Sequence, residues 1–496
     1  MGRSKDTSLN RTKTGSDFLQ LNLGDAPAGG LSDWLAQRLR LAISDGRLPV
    51  GGKLPATRVL AEELRVSRGV VVEAYQRLIE DGHADGRGRA GTIVVAAPAS
   101  PQTPVPADSF ASPFAAEPDR DIFDAIRAVP ARIDLSPGVP DLAAFPRTAW
   151  LRAERAVLST LSAADFGYGD PRGAPALRAA VANWVARSRG ISVDPGEVII
   201  VAGVAQSLAL LAMVLMRRGI SEVAVEDPSS LGARQHLHYL GLRTPPIPVD
   251  GYGVRVDALR ESGAPVVVMT PAHQFPTGVV LDGERRRELM RWGGLIIEDD
   301  YDAEHRYDRP PVPALRSMLA ENVCYTGSVS KLLAPALRVG WLLVPSEYRE
   351  EVVAAKRCAD LGNAVLPQLV LAHLMESGEL ERQLRFVRRR HRQRRDVMIE
   401  ALRTRWPDAT VHGAAAGLHL MITFDGESDV DIAARALEQG VKVQPLSWHS
   451  QVPGPPGLVL GYAASTPTDI AEGVAILSRA ASASPGRRGA RATSRA

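Results

Sequence analysis

The chain has 496 residues, of which 45% are hydrophobic and 23% charged, and its formal net charge is +3. This length exceeds that of one ordinary domain, and so small a net charge excludes a uniformly basic nucleic-acid coat but not a local basic face. Cys324 and Cys358 form no disulfide or zinc pattern, and no apolar run reaches the roughly 20 residues that span a bilayer, so we expect a cytoplasmic protein without a metal site.

The first hundred residues contain the signals of a small helical domain. Residues 1–25 are polar and mixed in charge, and we expect a flexible arm. Helical apolar spacing and turn residues then predict a compact domain over residues 26–96. Its predicted elements are a helix over Leu31–Ser44, a helix over Pro55–Leu64, a helix over Arg68–Asp81 with Ser67 as its N-cap, and a hairpin over Gly82–Val95.

The order helix, helix, turn, helix, hairpin is the plan of a winged helix-turn-helix, a DNA-binding fold. Arginines lie beside the second and third predicted helices and at the hairpin tip, from which such a fold reaches phosphates and base edges. The candidate DNA-binding residues are Arg58, Arg65, Ser67, Arg68, Arg77, Arg87 and Arg89. The order of elements alone also fits a small packing module whose arginines are merely solvated.

Three stretches of this domain carry a family resemblance. Lys53-Leu-Pro-Ala-Thr-Arg58, Val66-Ser-Arg68 and Val72-Glu-Ala-Tyr75-Gln-Arg-Leu-Ile-Glu-Asp-Gly82 resemble the DNA-binding domain of the GntR-type regulators. The resemblance implies a winged helix-turn-helix that binds a double-stranded DNA operator. Gly69 stands where the family usually has a hydroxyl residue after the recognition-helix arginine, so the base preference stays open.

Residues 97–131 are rich in proline and alanine, and we expect a semi-extended linker with a helical turn at Ile122–Val129. From 132 to 480, short apolar runs alternate with helical patterns, which predicts an α/β fold with a mostly parallel sheet covered by helices. A long charged helix over Gly378–Arg403 is expected to lead into a smaller C-terminal subdomain. Residues 481–496 contain arginines and no acid, which predicts a disordered basic tail.

Two stretches of the α/β segment carry chemical groups. The apolar run Leu295–Ile297 leads into Glu298-Asp-Asp-Tyr301, which predicts a buried strand that delivers acids to its carboxyl end, where open α/β sheets bind ligands. A polar turn, Thr326-Gly-Ser-Val-Ser-Lys331, then presents a lysine, and Arg338 follows seven residues later. Taken alone, these stretches also fit a surface loop, a helix cap or a metal ligand.

A lysine, a buried acid, a phenol and an arginine together suit a pyridine-aldehyde phosphate. The amine of Lys331 can form a Schiff base with the aldehyde once burial lowers its pKa. A carboxylate can keep the ring nitrogen protonated, and a guanidinium can grip the phosphate through two parallel hydrogen bonds. A phenol can hydrogen-bond the ring oxygen.

Two further stretches complete a pattern of a known family. Met269-Thr-Pro-Ala-His-Gln-Phe-Pro-Thr-Gly278 follows a predicted strand, and Phe166-Gly-Tyr-Gly-Asp-Pro-Arg-Gly173 precedes a predicted helix. The four stretches in this order resemble the fold-type I aminotransferases that use pyridoxal 5′-phosphate. With the GntR-type domain in front, nearly the whole chain resembles the MocR/GabR branch of the GntR transcriptional regulators.

The resemblance assigns roles around the cofactor ring. Lys331 would be the catalytic residue that carries the cofactor as a Schiff base, Asp299 would pair with the ring nitrogen, and Tyr301 would contact the ring hydroxyl. His273 and Gln274 would lie on the loop that faces the ring, where each either contacts the cofactor or anchors the loop.

The resemblance also implies a set of phosphate ligands. Arg338 and Ser328 would bind through their side chains, and Val204 and Ala205 through backbone N–H groups at a helix start. Tyr168 would reach the phosphate bound in a partner subunit, which implies a homodimer with its sites at the interface.

Three positions depart from the pattern of the catalytic relatives. Phe275 stands where an asparagine often contacts the ring, Ser229 and Ser230 stand where a stacking aromatic is usual, and Val459 aligns with an arginine that binds the substrate carboxylate. Losing that arginine should weaken carboxylate binding severely, because a buried charge without a partner is costly.

These departures favour a transcriptional regulator that responds to pyridoxal 5′-phosphate, or to an amine or amino-acid effector, with at most weak transaminase activity. The main alternative is an active aminotransferase with an appended DNA-binding domain. A weaker alternative is a DNA-binding protein that holds no cofactor.

Overall fold

The chain forms two compact units, Met1–Thr103 and Pro104–Ala496. The computed structural model describes residues 26, 30–88, 91–97, 113–114, 118, 121–302, 304–307, 312–413 and 416–482. The predicted arm, most of the predicted linker before residue 121, and the predicted tail beyond residue 482 lie outside these ranges. Within them, no helix combines the length and apolar character needed to cross a membrane.

The first unit has the element order predicted for a winged helix-turn-helix. Its elements are α1 (Leu31–Ser44), α2 (Thr57–Glu63), α3 (Arg68–Glu80), β1 (Ala84–Gly86) and β2 (Thr92–Val94). The two strands pair antiparallel. Ser67 caps α3, since its hydroxyl oxygen accepts a hydrogen bond from the backbone N–H of Val70 at 3.4 Å. Leu39, Leu60 and Leu78 are fully buried and join the three helices in one core.

The second unit alternates strands and helices over most of its length. Its helices are α4 (Ile122–Ala128), α5 (Arg147–Leu158), α6 (Pro175–Arg189), α7 (Val204–Arg217), α8 (Leu231–Tyr239), α9 (Val256–Ser262), α10 (Gly283–Trp292), α11 (Ser346–Asp360), α12 (Val365–Glu376), α13 (Glu379–Arg405), α14 (Asp429–Glu438) and α15 (Pro467–Ser482). Its strands are β3 (Ile133–Asp134), β4 (Ile199–Val201), β5 (Ala224–Asp227), β6 (Pro246–Asp250), β7 (Gly253–Val254), β8 (Val266–Met269), β9 (Leu295–Asp300), β10 (Val323–Ser328), β11 (Gly340–Leu343), β12 (Thr410–His412), β13 (His419–Thr423), β14 (Val441–Lys442), β15 (Gln444–Pro445) and β16 (Gly457–Gly461).

A mostly parallel sheet forms the centre of this unit, as the sequence predicts. Its strand order is β4-β11-β10-β9-β8-β5-β6-β7. The five strands from β10 to β6 run parallel, whereas β11 and β7 are antiparallel to their neighbours. All four residues of β8 are buried, since helices cover both faces of such a sheet. The carboxyl ends of β5, β8 and β9 therefore meet at one edge, where open α/β sheets bind their ligands.

A smaller antiparallel sheet, in the order β12-β13-β16-β15, forms the predicted C-terminal subdomain. It shares a hydrophobic core with α13 and α15, and this core includes Met398, Leu402 and Tyr462. Helix α4 buries Ile122 and Ile126 in the same core. The predicted helical turn at the end of the linker is therefore a helix that packs into the second unit.

Candidate functional site

The acidic end of β9 divides between the two faces of the sheet, because side chains alternate along a strand. Glu298 is fully buried and accepts hydrogen bonds from the backbone N–H groups of Leu315 at 2.9 Å and Arg316 at 3.1 Å. Asp300 forms a buried ion pair with Arg189 at 2.5 Å, and Tyr325 donates its hydroxyl to the same carboxylate at 2.6 Å. The contacts of these two acids stabilise the fold. Asp299 lies between them in the strand, so its side chain points to the opposite face of the sheet.

The surroundings of Asp299 disfavour the charged form of its carboxyl group. Its Oδ1 atom is buried, and among the described residues it has no hydrogen-bond partner. Burial, followed by the negative charge of Asp300, raises the pKa of Asp299 from 3.8 to about 7, while the nearby Lys331 opposes this rise. A positively charged N–H group placed beside Oδ1 would return the carboxyl to its ionised form.

Lys331 lies just beyond the end of β10, which pairs in parallel with β9. Its Nζ atom donates a hydrogen bond to the carbonyl oxygen of Gly138 at 2.5 Å. Burial lowers the pKa of Lys331 below its ordinary value, although the carboxylates of Asp299 and Asp302 oppose this effect. An amine with a lowered pKa is more often unprotonated, which makes it a better nucleophile.

The start of α7 forms a site suited to an anion. Val204 and Ala205 occupy the first turn of the helix, where backbone N–H groups have no partner within the helix. Gly203 precedes them with a φ of +97°, and a Cβ atom at this glycine would lie 3.6 Å from Nη1 of Arg338 and 3.8 Å from Oγ of Ser330. The guanidinium of Arg338 and the hydroxyl of Ser330 thus both lie close to Gly203, the residue directly before the start of α7.

The two serines before Lys331 have different surroundings. Ser328 is buried, and its hydroxyl oxygen accepts a hydrogen bond from the backbone N–H of Ser330 at 3.3 Å. Ser330 instead places its own hydroxyl beside Gly203 and Arg338. No role was predicted for Ser330 from the sequence, although its place directly before the lysine was a signal.

Tyr301, His273 and Asp302 form a hydrogen-bonded chain at the carboxyl end of β9. His273 Nδ1 lies 2.9 Å from Oδ2 of Asp302 and 3.1 Å from the hydroxyl oxygen of Tyr301. Burial alone would raise the pKa of Asp302, but His273 lowers it below its ordinary value, so the carboxyl is ionised. Burial and the charges of Asp302 and Asp299 hold the pKa of Tyr301 well above its ordinary value, which keeps the phenol protonated and able to donate.

Three of the surrounding groups could also hold a metal ion. His273, Asp302 and His419 are buried, and each offers one ligand atom within 4.8 Å of the others. Imidazole and carboxylate are suitable ligands for zinc and related cations. No spacing in the sequence indicates this cluster, because its members follow β8, follow β9 and lie in β13, and only the fold brings these segments together.

Gln274 anchors its own loop, which is one of the two roles that the sequence left open for it. Its Nε2 atom donates to the carbonyl oxygens of Pro228 at 2.8 Å and Phe275 at 2.7 Å. Its Oε1 atom accepts from the backbone N–H of Thr277 at 3.1 Å and from the hydroxyl of Thr277 at 2.6 Å. The amide of Gln274 is thus fully engaged within the protein and has no group left for a ligand.

The loop that carries Tyr168 is tied to the sheet at one end and uncovered at the other. The backbone N–H of Ile200 in β4 donates to the carbonyl oxygen of Arg172 at 2.8 Å. Tyr168 itself is 95% exposed, and Phe166 is 67% exposed. The structure of a single chain therefore leaves the Tyr168 side chain in solvent.

At the three positions that depart from the catalytic pattern, the residues of this chain pack or form hydrogen bonds within the fold. Phe275 is half-buried, and its ring makes an edge contact with that of Tyr301 at a centroid distance of 6.1 Å. Ser230 caps α8, where its hydroxyl accepts from the backbone N–H of Ala233 at 3.3 Å. Val459 lies in the middle of β16 and is fully buried.

The first unit exposes most of its candidate DNA-binding residues on α2, the following turn and the start of α3. These exposed residues are Arg58, Arg65, Ser67 and Arg68. Arg68 also links the two helices, since its Nε atom donates to the hydroxyl of Thr57 at 3.4 Å. Convergence at the start of a recognition helix is the arrangement by which a helix-turn-helix reads the major groove.

The remaining arginine candidates differ from this group. Arg77 is half-buried and forms ion pairs with Glu73 at 2.8 Å and with Asp33, so its charge is neutralised within the domain. Arg87 is exposed at the hairpin, where it pairs with Asp85 at 3.2 Å. Arg89 lies outside the described residues.

Comparison with known proteins places both units in described families. Residues 31–94 match the bacterial regulatory proteins of the gntR family, and residues 131–477 match the aminotransferase class I and II family. Among solved structures, the alpha-aminoadipate aminotransferase LysN from Thermus thermophilus, in complex with N-(5′-phosphopyridoxyl)-L-leucine, is 29% identical with a TM-score of 0.64, and the match covers 70% of this chain and 91% of that one.

Curated relatives match nearly the whole chain. The probable rhizopine catabolism regulatory protein MocR of Rhizobium meliloti is 32% identical over 459 residues, which is 89% of this chain and 91% of that protein. The pyridoxine biosynthesis transcriptional regulator PdxR of Corynebacterium glutamicum is 29% identical over 434 residues, or 86% and 91% of the two chains. The chain therefore belongs to the MocR/GabR-type transcriptional regulators of the GntR family, in which a helix-turn-helix domain precedes a class I/II aminotransferase domain.

Proposed function

We propose that this regulator binds pyridoxal 5′-phosphate covalently through Lys331 and that the bound cofactor, or an amine that reacts with it, alters operator binding. The observation that carries the proposal is that the half-buried Lys331 lies close enough to Asp299 for each charge to affect the other's pKa, while the Oδ1 atom of Asp299 is buried without a described partner. That atom needs a protonated nitrogen, and the pyridine ring of this cofactor offers one.

The other groups of the site fit the same molecule. The cofactor phosphate matches the convergence of Arg338, Ser330 and the N–H groups at the start of α7. Tyr301, which remains protonated, can donate to the ring oxygen. When bound, pyridoxal 5′-phosphate supplies an aldehyde carbon open to amines and a ring that withdraws electrons.

A homodimer is part of the proposal, because the chain exposes five large apolar or aromatic side chains between residues 142 and 168. Leu142 is 46% exposed, Leu151 is 55% exposed and Leu158 is 44% exposed, in addition to Phe166 and Tyr168. Exposed apolar surface is typical of an interaction site when it forms a patch. A second copy of the chain would cover them and would bring the hydroxyl of Tyr168 to the phosphate site of its partner.

Control of DNA binding requires that the ligand binds one of two conformations more tightly. A ligand that binds both equally does not change the equilibrium between them. The proposal therefore predicts that the operator affinity of the dimer differs between the cofactor-free and cofactor-bound protein. The name of the relative PdxR, which refers to pyridoxine biosynthesis, supports a regulatory link with this class of cofactor.

The test is a pair of measurements on the full-length protein. Purified protein supplied with pyridoxal 5′-phosphate should show a visible absorbance band that Lys331→Ala abolishes. Lys356→Ala is the matched control, because Lys356 is also buried but pairs with Asp360 at 2.8 Å. A wild type that stays colourless with the cofactor would overturn the proposal, and so would an operator affinity that the cofactor leaves unchanged.

An active aminotransferase is the second candidate function, and the intact set of Lys331, Asp299 and Tyr301 favours it. Val459 argues against it, because a buried valine cannot bind the carboxylate of an amino-acid substrate. Steady turnover of amino acids at the rates of ordinary transaminases would favour this second function.

A further inference from the structure

We infer that the site selects amines that carry no carboxylate beside the nitrogen, and that Phe275 and the apolar side chains behind it are the residues that determine this specificity. The inference rests on the proposed function, because it concerns the ligand that meets the cofactor held at Lys331. It narrows the effector to a class, namely primary amines with an apolar substituent.

Phe275 stands between the proposed cofactor site and the smaller subdomain. Its ring contacts Tyr301 on one side, at a centroid distance of 6.1 Å. On the other side it contacts the rings of His419 at 5.0 Å and His449 at 5.1 Å. Because Phe275 and Tyr301 are both only half-buried, their rings present surface to a ligand.

The side chains behind Phe275 are apolar and closely packed. Met421, Leu446 and Val459 form one buried cluster, and Phe275 packs against it. Met421 and Val459 face each other across β13 and β16. An apolar wall of this kind favours apolar ligand groups, because their burial removes hydrocarbon surface from water.

The two histidines of the wall do not supply positive charge. His449 accepts a hydrogen bond at Nδ1 from the backbone N–H of Leu231 at 3.4 Å, and its Nε2 lies 3.2 Å from Oε1 of Gln444. His419 Nε2 lies 3.2 Å from the carbonyl oxygen of Pro276. Both histidines are buried, and because Nδ1 of His449 accepts a hydrogen bond it carries no proton, so that ring is neutral.

The charged groups near the wall are unfavourable to an added carboxylate. The guanidinium of Arg234 contributes to the low pKa of His449, but it donates to the carbonyl oxygen of Trp448 at 2.8 Å and faces Asp227. Among the described residues, the rings in contact with Phe275 belong to Tyr301, His419 and His449, so a carboxylate placed against this ring would lose its water without touching a guanidinium or an ammonium group there, which is unfavourable.

The covalent step that accompanies binding is an exchange of amines. With pyridoxal 5′-phosphate bound, Lys331 would hold its aldehyde carbon through Nζ, and the nitrogen of an amine ligand would form a bond to that carbon as the bond to Nζ breaks. A proton would pass from the incoming amine to the released Nζ, and no oxidant or further reactant would be needed. The carboxylate takes no part in this exchange, and its presence or absence affects only recognition.

The experiment compares ligands that differ only by a carboxylate. The cofactor-loaded dimer is titrated with 2-phenylethylamine and with L-phenylalanine, and in parallel with 3-methylbutylamine and with L-leucine. The change in visible absorbance gives the half-saturating concentration of each ligand. We expect each amine to saturate at a concentration at least tenfold below that of its amino acid.

Variants of the wall test its role directly. Val459→Arg places a guanidinium behind Phe275, and we expect it to reduce or reverse the preference by tenfold or more. Because a buried arginine can prevent folding, Phe275→Arg provides a second cation at a half-buried position, with the same expectation. The absorbance of each variant before titration reports whether it holds the cofactor.

The outcomes separate the two proposals. A wild type without visible absorbance would refute cofactor binding itself. A coloured wild type that responds to L-phenylalanine as strongly as to 2-phenylethylamine, or to none of the four ligands, would overturn the inference on ligand class and leave cofactor binding intact. A coloured Phe275→Arg protein that keeps the wild-type preference would remove Phe275 from the specificity-determining wall.

Discussion

The ε-amine of Lys331 donates a hydrogen bond to the carbonyl oxygen of Gly138, and the two atoms lie 2.5 Å apart. This bond joins the end of β10 to the loop after β3, which lies 193 positions earlier in the chain. A buried amine needs such a partner, because leaving it unpaired would cost its full desolvation free energy. The carbonyl of Gly138 thus holds the amine at the site until a ligand replaces it.

We predict that Gly138→Ala disturbs the amine of Lys331 and weakens cofactor attachment. Gly138 has a φ of +77°, which alanine adopts only with strain of about 1 kcal/mol, and the added Cβ would lie 3.3 Å from Nζ. Urea unfolding should report the loss of stability. Titration with pyridoxal 5′-phosphate, followed by visible absorbance, should report weaker attachment.

Gly263→Ala is the matched control for this variant. Gly263 ends α9 with a φ of +68°, and its added Cβ would meet no atom within 4 Å. It should therefore show a similar loss of stability with unchanged cofactor attachment. If both variants attached the cofactor as the wild type does, the carbonyl of Gly138 would have no role in placing the amine.

Asp299→Asn should stabilise the cofactor-free protein, and more so at pH 8 than at pH 5. The pKa of Asp299 is raised to about 7 when folded, so between pH 3.8 and 7 the folded state binds more protons than the unfolded state and wild-type stability falls as pH rises. The substitution by asparagine removes this loss of folding stability, because an amide does not ionise. Since one pKa unit corresponds to about 1.4 kcal/mol, we expect a gain of roughly 1–3 kcal/mol at pH 8 for this half-buried group.

Asp300→Asn separates this effect from a general change at the end of β9. Asp300 forms the buried ion pair with Arg189, so its replacement leaves a buried guanidinium without its counter-ion and should destabilise the protein by about 3 kcal/mol. Urea denaturation at pH 5 and pH 8 measures both variants. A destabilised Asp299→Asn protein at pH 8 would show that the carboxylate of Asp299 already has a partner.

The local elements followed from the sequence where local signals define them. The predicted helix over Leu31–Ser44 has the observed bounds, because its apolar spacing and the turn residues beside it lie within one short segment. The predicted strand Leu295–Ile297 is three residues too short. The strand continues to Asp300, because Arg189 pairs with the carboxylate of Asp300 and allows it to be buried. Arg189 lies 111 residues earlier in the chain, so no local sequence pattern indicates this pairing.

The same limit applies to individual side chains. The roles of Gln274 and Arg77 depend on neighbours that only the folded chain supplies, namely Pro228 beside Gln274 and Asp33 beside Arg77. The cluster of His273, Asp302 and His419 likewise had no signal in sequence spacing. The proximity of Lys331 and Asp299 was expected because parallel strands of an α/β sheet place their ligand groups at their carboxyl ends: Asp299 lies at this end of β9, and Lys331 follows the adjacent strand β10.

Arg338→Ala should lower the affinity for pyridoxal 5′-phosphate by about 10- to 100-fold, because a charge-assisted hydrogen bond contributes roughly 1.5–3 kcal/mol. Arg338 is exposed and reaches the point beside Gly203 where the phosphate is proposed to bind. Arg357→Ala, which removes an exposed arginine of α11, is the control. Equilibrium dialysis with the cofactor measures both affinities, and equal losses in the two variants would contradict a specific phosphate contact.

Arg68→Ala and Arg77→Ala should have opposite effects on DNA binding and stability. Arg68 is exposed at the start of α3. If it contacts a base, its loss should weaken operator binding by about 1–3 kcal/mol. If it contacts a phosphate, its loss should reduce the salt dependence of operator binding by about one charge. Arg77 is paired with Glu73 and Asp33, so its loss should cost at most about 1 kcal/mol of stability and leave operator affinity nearly unchanged. Mobility-shift assays at several salt concentrations, with thermal unfolding of each variant, decide between these expectations. Undiminished binding by Arg68→Ala, or a loss of binding confined to Arg77→Ala, would place the DNA-reading surface elsewhere on the first unit.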